Sequence, residues 1–197
     1  MLKLDLEEKK AYIAKMASGV FAEKGYKASS LQDVSRQAQI SKAGLYHYFK
    51  SKEDILFYVL IKNSDLFLEK LRTSLKVSQE KNLTPEESFV KLVQTYANHI
   101  NNDEDKRLIV LRERHQLSSK RKNELFKKEQ AMFRLIKNEL QKIRNLEEEI
   151  NPNVVTFLFI SMSHWLGYWF KEGKGLDLET IINQNIETIF HGMLKRR

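Results

Sequence analysis

The sequence predicts an all-α protein, and three observations lead there. Its 197 residues include only 7 Gly and 2 Pro, few of the breakers that a strand-and-turn architecture uses. Apolar residues recur at i, i+3, i+4 and i+7 through most of the chain. Ser, Thr, Asp and Asn stand just ahead of those periodic runs, where helix N-caps belong. About nine helices are expected, as a three-helix N-terminal domain over residues 1–52 and a larger helical bundle over residues 53–197.

The first helix is expected from Glu7 to Lys24. Ile13, Met16, Ala17, Val20 and Phe21 form one apolar stripe, and Gly25 supplies the stop. A second helix starts at Ser29 or Ser30. Ser29 with Gln32 reads as a capping box and Ser30 as an alternative cap. Leu31, Val34 and Ala38 form its inner face. It must end near Ala38, because Ser41 caps a short third helix, Lys42 to Tyr48, with Leu45 and Phe49 inward. Ser51 caps a fourth helix, Lys52 to about Lys76, with Asp54 at its third position and Leu56, Val59, Leu60, Phe67 and Leu71 buried.

Thr84-Pro85-Glu86-Glu87 opens a fifth helix, to about Ile100, with Pro at its first position and acids in its first turn. Asp103 caps a sixth, to about Arg114. Ser118 or Ser119 caps a seventh, to about Arg144, with Leu125, Met132, Phe133, Ile136 and Leu140 inward. Asn151-Pro152 opens an eighth that runs to Gly173. Asp177 opens a ninth, from Leu178 to Lys195.

Charge gives the first functional hint. The formal net charge is +8, and residues 1–52 hold ten Lys/Arg against five Asp/Glu. A basic N-terminal quarter suits a polyanionic partner, although a basic solvated surface has the same composition. Cysteine is absent, which excludes disulfides and thiolate metal sites. No apolar run approaches the roughly 18 residues of a membrane span, and Met1-Leu2-Lys3-Leu4-Asp5 is no signal-peptide core. A cytoplasmic protein is expected, with no membrane partner, no cofactor and no metal.

Residues 41–52 are the most informative. Two short helices joined by a tight turn form a helix-turn-helix, whose second helix enters the DNA major groove by its N-terminal turn. Ala43 and Gly44 are small enough for close approach. A mid-helix Gly costs about 1 kcal/mol against Ala, so something besides helix stability should explain Gly44. Lys42 can reach a phosphate or a guanine edge. Tyr46 and His47 lie on the outer face, and Lys52 adds positive charge at the next helix start. His47 has no acid or His at helical spacing, so it is no metal ligand.

The stretch from Phe21 through Val34 (Phe21-Ala22-Glu23-Lys24-Gly25-Tyr26) and the stretch from Ile40 to Glu53 (Ser41-Lys42-Ala43-Gly44-Leu45-Tyr46-His47-Tyr48-Phe49-Lys50-Ser51-Lys52) resemble the N-terminal domain of TetR-family (TetR/AcrR) transcriptional regulators. The resemblance covers residues 13–56. It implies a homodimer that sets two helix-turn-helix units on a palindromic double-stranded operator. It implies a core of Phe21, Val34, Leu45 and Phe49. The DNA-binding set is then Ser29, Ser30, Ser41, Lys42, Ala43, Gly44, Tyr46, His47, Tyr48 and Lys52. Two positions depart from the family pattern. Gln39 stands where Gly is usual, at a cost of roughly 1–2 kcal/mol if the residue is left-handed, and Ser35 stands where Ala is common.

The bundle is expected to dimerise through its last two helices, by Phe157, Leu158, Met162, Trp169, Ile182, Ile186, Ile189, Phe190 and Met193, unless those stripes fill the monomer core. A small-molecule effector is expected among Phe89, Leu92, Tyr96, Leu111, Arg112, Phe133, Ile136, Phe157 and Trp165, a set that packing alone would also produce. The segments Leu108–Leu117, Lys120-Arg121, Trp165–Phe170 and Gly173–Gly175 loosely resemble acyl-CoA-sensing members of the family. That implies an acyl-CoA or lipid-like ligand whose phosphates meet Arg112, Arg114, Lys120 and Arg121.

The expected function is a sequence-specific repressor released by a small hydrophobic ligand. The alternatives are a TetR-like regulator of drug efflux that binds amphipathic compounds, or a basic protein that coats DNA without specificity. An enzyme is not expected. No G-x-x-x-x-G-K-[ST], G-x-S-x-G or H-E-x-x-H motif occurs. Three residues before the five histidines stand Gly44, Tyr96, Arg112, Ser161 and Thr188, so the Glu-x-x-His of di-iron bundles is absent too.

Overall fold

A computed structural model describes residues 5–101, 113–144, 146, 150–170 and 175–193. Among the described residues the regular elements are eight α-helices: α1 (Leu6–Lys24), α2 (Leu31–Gln37), α3 (Lys42–Tyr48), α4 (Lys52–Glu80), α5 (Pro85–Asn101), α6 (Ser119–Leu140), α7 (Pro152–Trp169) and α8 (Leu178–Met193), with a 3-10 turn at Arg114–Gln116. The helix expected between Asp103 and Arg114 lies almost wholly outside the described residues.

Two compact units form, and they do not follow chain order. The first draws on Met1–Asp65 and Glu104–Lys127, the second on Leu66–Asp103 and Lys128–Arg197. Both α4 and α6 therefore begin in the first unit and end in the second.

In the first unit, α1, α2 and α3 pack on one another. Their shared core is Ile13, Ala17, Phe21, Val34, Leu45 and Phe49, joined by Ile55, Leu56 and Leu60 of α4 and by Leu117 and Leu125. Leu45 and Val34 have no exposed surface at all. Each such side chain contributes roughly 1.5–3 kcal/mol on burial.

The caps explain where the helices begin and end. Asp5 caps α1, and its box with Glu8 places the start at Leu6, one residue ahead of the sequence expectation. Gly25 ends α1 at φ +79°, where its amide donates to the Phe21 carbonyl. Ser30, not Ser29, caps α2, because Ser30 Oγ accepts from the Asp33 amide at 3.1 Å while Asp33 accepts from the Ser30 amide at 2.9 Å. Helix α4 continues to Glu80, four residues beyond expectation. No breaker intervenes until Asn82 turns left-handed (φ +50°) and the Leu83 amide reaches the Ser78 carbonyl at 3.0 Å. Thr84 and Glu87 form a reciprocal box ahead of α5. Helix α6 stops at Leu140, short of Arg144. Helix α7 stops at Trp169, because Phe170 is extended.

The helix-turn-helix turn answers the question raised by Gln39. Its φ is +53°, so a side chain occupies a left-handed position that glycine holds at lower cost. The turn nevertheless closes. The Ile40 amide donates to the Ser35 carbonyl at 3.1 Å, and Ser35 Oγ donates to the Ile40 carbonyl at 2.7 Å. The two departures from the family pattern thus meet at one turn, where the Ser35 hydroxyl braces the bend that Gln39 strains.

In the second unit, α5 lies against α7 and α8. Phe67, Leu71, Phe89, Leu92, Tyr96, Met132, Ile136, Leu140, Phe159, Ile182, Ile186 and Phe190 share its core. Phe89 meets Phe159 and Phe190 edge-on, with ring centroids 5.1 and 5.7 Å apart. The buried Glu139 carboxylate accepts from Ser88 Oγ at 2.5 Å and from Lys142 Nζ at 2.6 Å. Among the described residues, no helix is long and apolar enough to cross a membrane.

Two substitutions test the turn. Gln39→Gly is expected to raise the urea midpoint by an amount equivalent to about 1 kcal/mol. Ser35→Ala is expected to lower it by about 1 kcal/mol. No change in either variant would refute the strained-and-braced description.

Candidate functional site

Helix α3 is only seven residues long, so its packing and cap decide its position. Leu45 anchors it from below, and Phe49 follows in the same core. Ser41 Oγ accepts from the Gly44 amide at 3.0 Å. Ser41, Lys42, Ala43, Tyr46 and His47 then stand exposed on one side, with Gly44 and Tyr48 half-buried beside them. The His47 ring meets Tyr48 edge-on at 5.1 Å. Gly44 has a structural reason as well as a spatial one. A Cβ there would sit 3.2 Å from Ser41 Oγ, against the cap itself.

A groove of about 510 Å³ runs beside this helix. Gln39, Ile40, Ser41, Gly44 and Tyr48 form one wall, and Lys9 and Tyr12 of α1 form the other. The sequence reading missed Lys9 and Tyr12. The available signal was helical spacing: Lys9 stands four residues before Ile13 and Tyr12 four before Met16, so both extend the α1 stripe by a turn toward its N-terminus.

Two residues of the expected contact set are turned inward instead. Ser29 is buried, and its Oγ donates to the Tyr26 carbonyl at 2.8 Å. Lys52 was expected to add charge to an anion site. Its ammonium reaches back to the loop before α2 and donates to the carbonyls of Tyr26, Ser29 and Lys27 at 2.5, 2.6 and 3.4 Å. It also sits 4.3 Å from the Tyr26 ring centroid. Burial lowers the Lys52 pKa, while Glu113 and Asp33 oppose that shift. Ser30 remains exposed as the α2 cap.

The segment 113–125 completes this unit. Glu113 Oε1 accepts from the Tyr26 amide at 3.3 Å, and Glu53 Oε1 accepts from the Ser118 amide at 2.8 Å. Arg121 pairs with Asp54 and lies 3.4 Å from Glu53. Arg121 was expected among phosphate-binding residues of a ligand site; its guanidinium is engaged by these two carboxylates instead. Lys24 bonds Asp33 at 2.8 Å, and that bond, with those from Ser30, holds the Asp33 carboxyl far below its ordinary range.

In the second unit, Phe89, Leu92 and Ile136 are fully packed core residues, and Tyr96 is buried beside them. Tyr96 Oη is hydrogen-bonded to His164 Nε2 at 3.0 Å, a polar pair within an apolar bundle. Burial raises the Tyr96 pKa and lowers that of His164. Phe133 is half-buried. Phe157 and Trp165, expected at the ligand, are 66% and 64% exposed and do not line the core. Leu111 and Arg112 lie outside the described residues.

The dimerisation set divides in the same way. Ile182, Ile186 and Phe190, expected at the interface, are buried in the core of the second unit. The period-3.6 spacing could not tell which side of α8 faces inward. By contrast Val154, Phe157, Leu158 and Trp165 form an exposed apolar stripe along α7. Met162 and Ile189 are half-buried. The Trp169 and Met193 side chains lie outside the described residues.

A capped helix-turn-helix with a basic, aromatic outer face, followed by an all-helical bundle, defines the class of helix-turn-helix regulators. The family described as bacterial regulatory proteins, tetR family, matches residues 13–59, and the tetracyclin repressor-like C-terminal domain matches residues 82–193. The chain therefore belongs to the TetR family of transcriptional regulators. Among curated proteins, the HTH-type regulator YuxN of Bacillus subtilis is 40% identical over 55 residues, covering 28% of this chain and 19% of YuxN. The fatty acid metabolism regulator protein of the same species is 35% identical over 57 residues, 29% of each chain. The transcriptional activator FasR of Mycolicibacterium smegmatis is 28% identical over 78 residues, 40% of this chain and 36% of FasR. The chain thus spans well under half the length of these relatives. Among solved structures, PfmR from Thermus thermophilus superposes with TM-score 0.79 at 23% identity, over 93% of this chain and 99% of PfmR. AibR in complex with isovaleryl coenzyme A and operator DNA gives TM-score 0.77 at 22% identity, over 92% and 97%.

The His164 environment predicts a pH dependence. Below its ordinary pKa of 6.5, the unfolded chain takes up a proton that the folded one resists, so stability falls as pH drops through that value and levels off below the folded pKa. Between about pH 7.5 and 5.5, a window around that value, the urea midpoint should fall further in the wild type than in His164→Gln. Equal falls would remove His164 as the cause.

Proposed function

We propose that this protein is a ligand-responsive transcriptional repressor that binds a palindromic operator as a homodimer. The observation that carries the reading is the outer face of α3. Lys42, Ala43, Tyr46 and His47 are exposed on a helix fixed by Leu45 and capped by Ser41. A helix so placed enters the major groove, where Lys42 reaches phosphate or guanine and the Tyr46 hydroxyl and His47 ring bond the backbone. Lys9 and Tyr12 extend the contact surface from α1.

Dimerisation follows from the α7 stripe of Val154, Phe157, Leu158 and Trp165, whose exposure in one chain favours burial against a second copy. A palindrome makes the same demand, since successive major-groove faces recur about every 34 Å. The effector we infer is an acyl-CoA thioester. The fatty acid metabolism regulator and the isovaleryl coenzyme A complex of AibR support that class. The apolar core of the second unit, with Tyr96 and His164 as its polar pair, has the chemistry for an acyl chain and its thioester carbonyl. The ligand acts only through its different affinities for the DNA-bound and released states, and α4 and α6 each run from the first unit into the second.

The test starts by selecting duplexes from a random pool with the purified full chain. Selected sites should be palindromic. Acyl-CoAs of graded chain length should then release the protein from them, and free coenzyme A should not. Release by amphipathic drugs alone would favour the efflux reading. Retention of every random duplex equally, with a steep salt dependence, would favour a DNA-coating protein. Phe157→Asp should give a monomer by native mass spectrometry and lose palindrome binding. A persistent dimer would move the interface elsewhere.

A further inference from the structure

We infer that the groove between α1 and the helix-turn-helix turn seats one phosphate of the operator backbone, and that Gln39 holds its left-handed position because its carboxamide donates to that phosphate. The inference rests on the DNA-binding reading of α3 and names what Lys9 and Tyr12 touch. Lys9, Gln39, Tyr12, Ser41 and Tyr48 bring an ammonium, a carboxamide and three hydroxyls to one opening of about 510 Å³. Among the described residues, no Asp or Glu lines it. Among those residues, too, the side chains of Lys9, Tyr12, Gln39 and Tyr48 make no hydrogen bond or ion pair. Donors gathered with no acid among them fit an anion.

The place suits the DNA backbone. Ser41 and Gly44 belong both to this groove and to the start of α3. A strand bordering the major groove that α3 enters therefore passes over the opening, where Lys, Tyr, Ser and Gln side chains serve as phosphate donors. The strain at Gln39 then has a use. Its φ of +53° is one that glycine holds at lower cost, but glycine would close the turn and leave the groove one donor short. Strain of this kind persists where the surroundings hold it in place. Here the Ser35 hydroxyl does so, donating to the Ile40 carbonyl at 2.7 Å, while the Gln39 side chain stays exposed.

The test uses the full-length chain and the duplex that the wild type selects from a random pool. A methylphosphonate is placed at one backbone position at a time, which removes a single charge. One position in each half-site should weaken wild-type binding about tenfold and leave Lys9→Gln with no further loss. Lys9→Gln should also lower the slope of log affinity against log salt by about 0.9 for each bound subunit. Gln39→Gly and Gln39→Asn should each bind about fivefold more weakly, with base preference and salt slope kept, because a carboxamide carries no charge. Gln39→Gly should do so while its urea midpoint rises. Asparagine tolerates the left-handed turn and is one methylene shorter, so it separates lost reach from a loosened turn. Wild-type affinity in either Gln39 variant would overturn the role of Gln39. Methylphosphonate losses equal in wild type and Lys9→Gln at every position would overturn the phosphate seat. Lys42→Gln tests the parent reading: if it alone loses the selected duplex, this inference falls and the α3 reading stands. If the wild type selects no duplex, both fall.

Discussion

A seven-residue helix does not persist in water by itself. Isolated helices shorter than about 12–15 residues are marginal even with favourable sequences. Helix α3 therefore exists because Leu45 is sealed beneath it and Ser41 closes its first turn. Everything the outer face offers to DNA depends on that burial. The surrounding elements each restrain one part of it: α1 and α4 supply the floor, the Ser35 hydroxyl holds the turn, and Lys52 holds the loop ahead of α2. Lys42, Ala43, Tyr46 and His47, the residues proposed to touch DNA, stand exposed above that packing.

The parts legible in the sequence were those fixed by local chemistry. Gly25, Ser41, Ser51 and the Thr84-Pro85 pair act within a turn of their own position, so the helices they bound stood close to where the sequence put them. Leu45, Phe49, Val34 and Phe21 were legible as core because each falls on a single helical stripe. Side chains that act over longer spans were not. Lys52 is basic and lies next to the recognition segment, yet its acceptors are carbonyls some 25 residues earlier in the chain. Nothing in the spacing of charges announces a lysine that bonds backbone.

The bundle shows the same limit from another side. An apolar stripe says that a helix face is buried, not what buries it. On α8 the answer is its own subunit, through Ile182, Ile186 and Phe190. On α7 the helix is apolar on more than one side. Phe159 faces the core, whereas Phe157 and Trp165 face away from it. Sequence periodicity assigns both sets equal weight, so only packing separates them.

The first unit is assembled from pieces far apart in the chain, and this has a consequence for how it forms. Its core closes only when Leu117 and Leu125 arrive, and the carboxylates of Glu53 and Asp54 wait for Ser118 and Arg121. On a ribosome adding roughly 5–20 residues per second, the first 65 residues emerge several seconds before their partners. During that interval the recognition helix has its caps but lacks one wall of its support. The nascent helix-turn-helix is thus a late-maturing element despite lying at the N-terminus, and a fragment ending at residue 65 would resemble that unfinished state more than it resembles a domain.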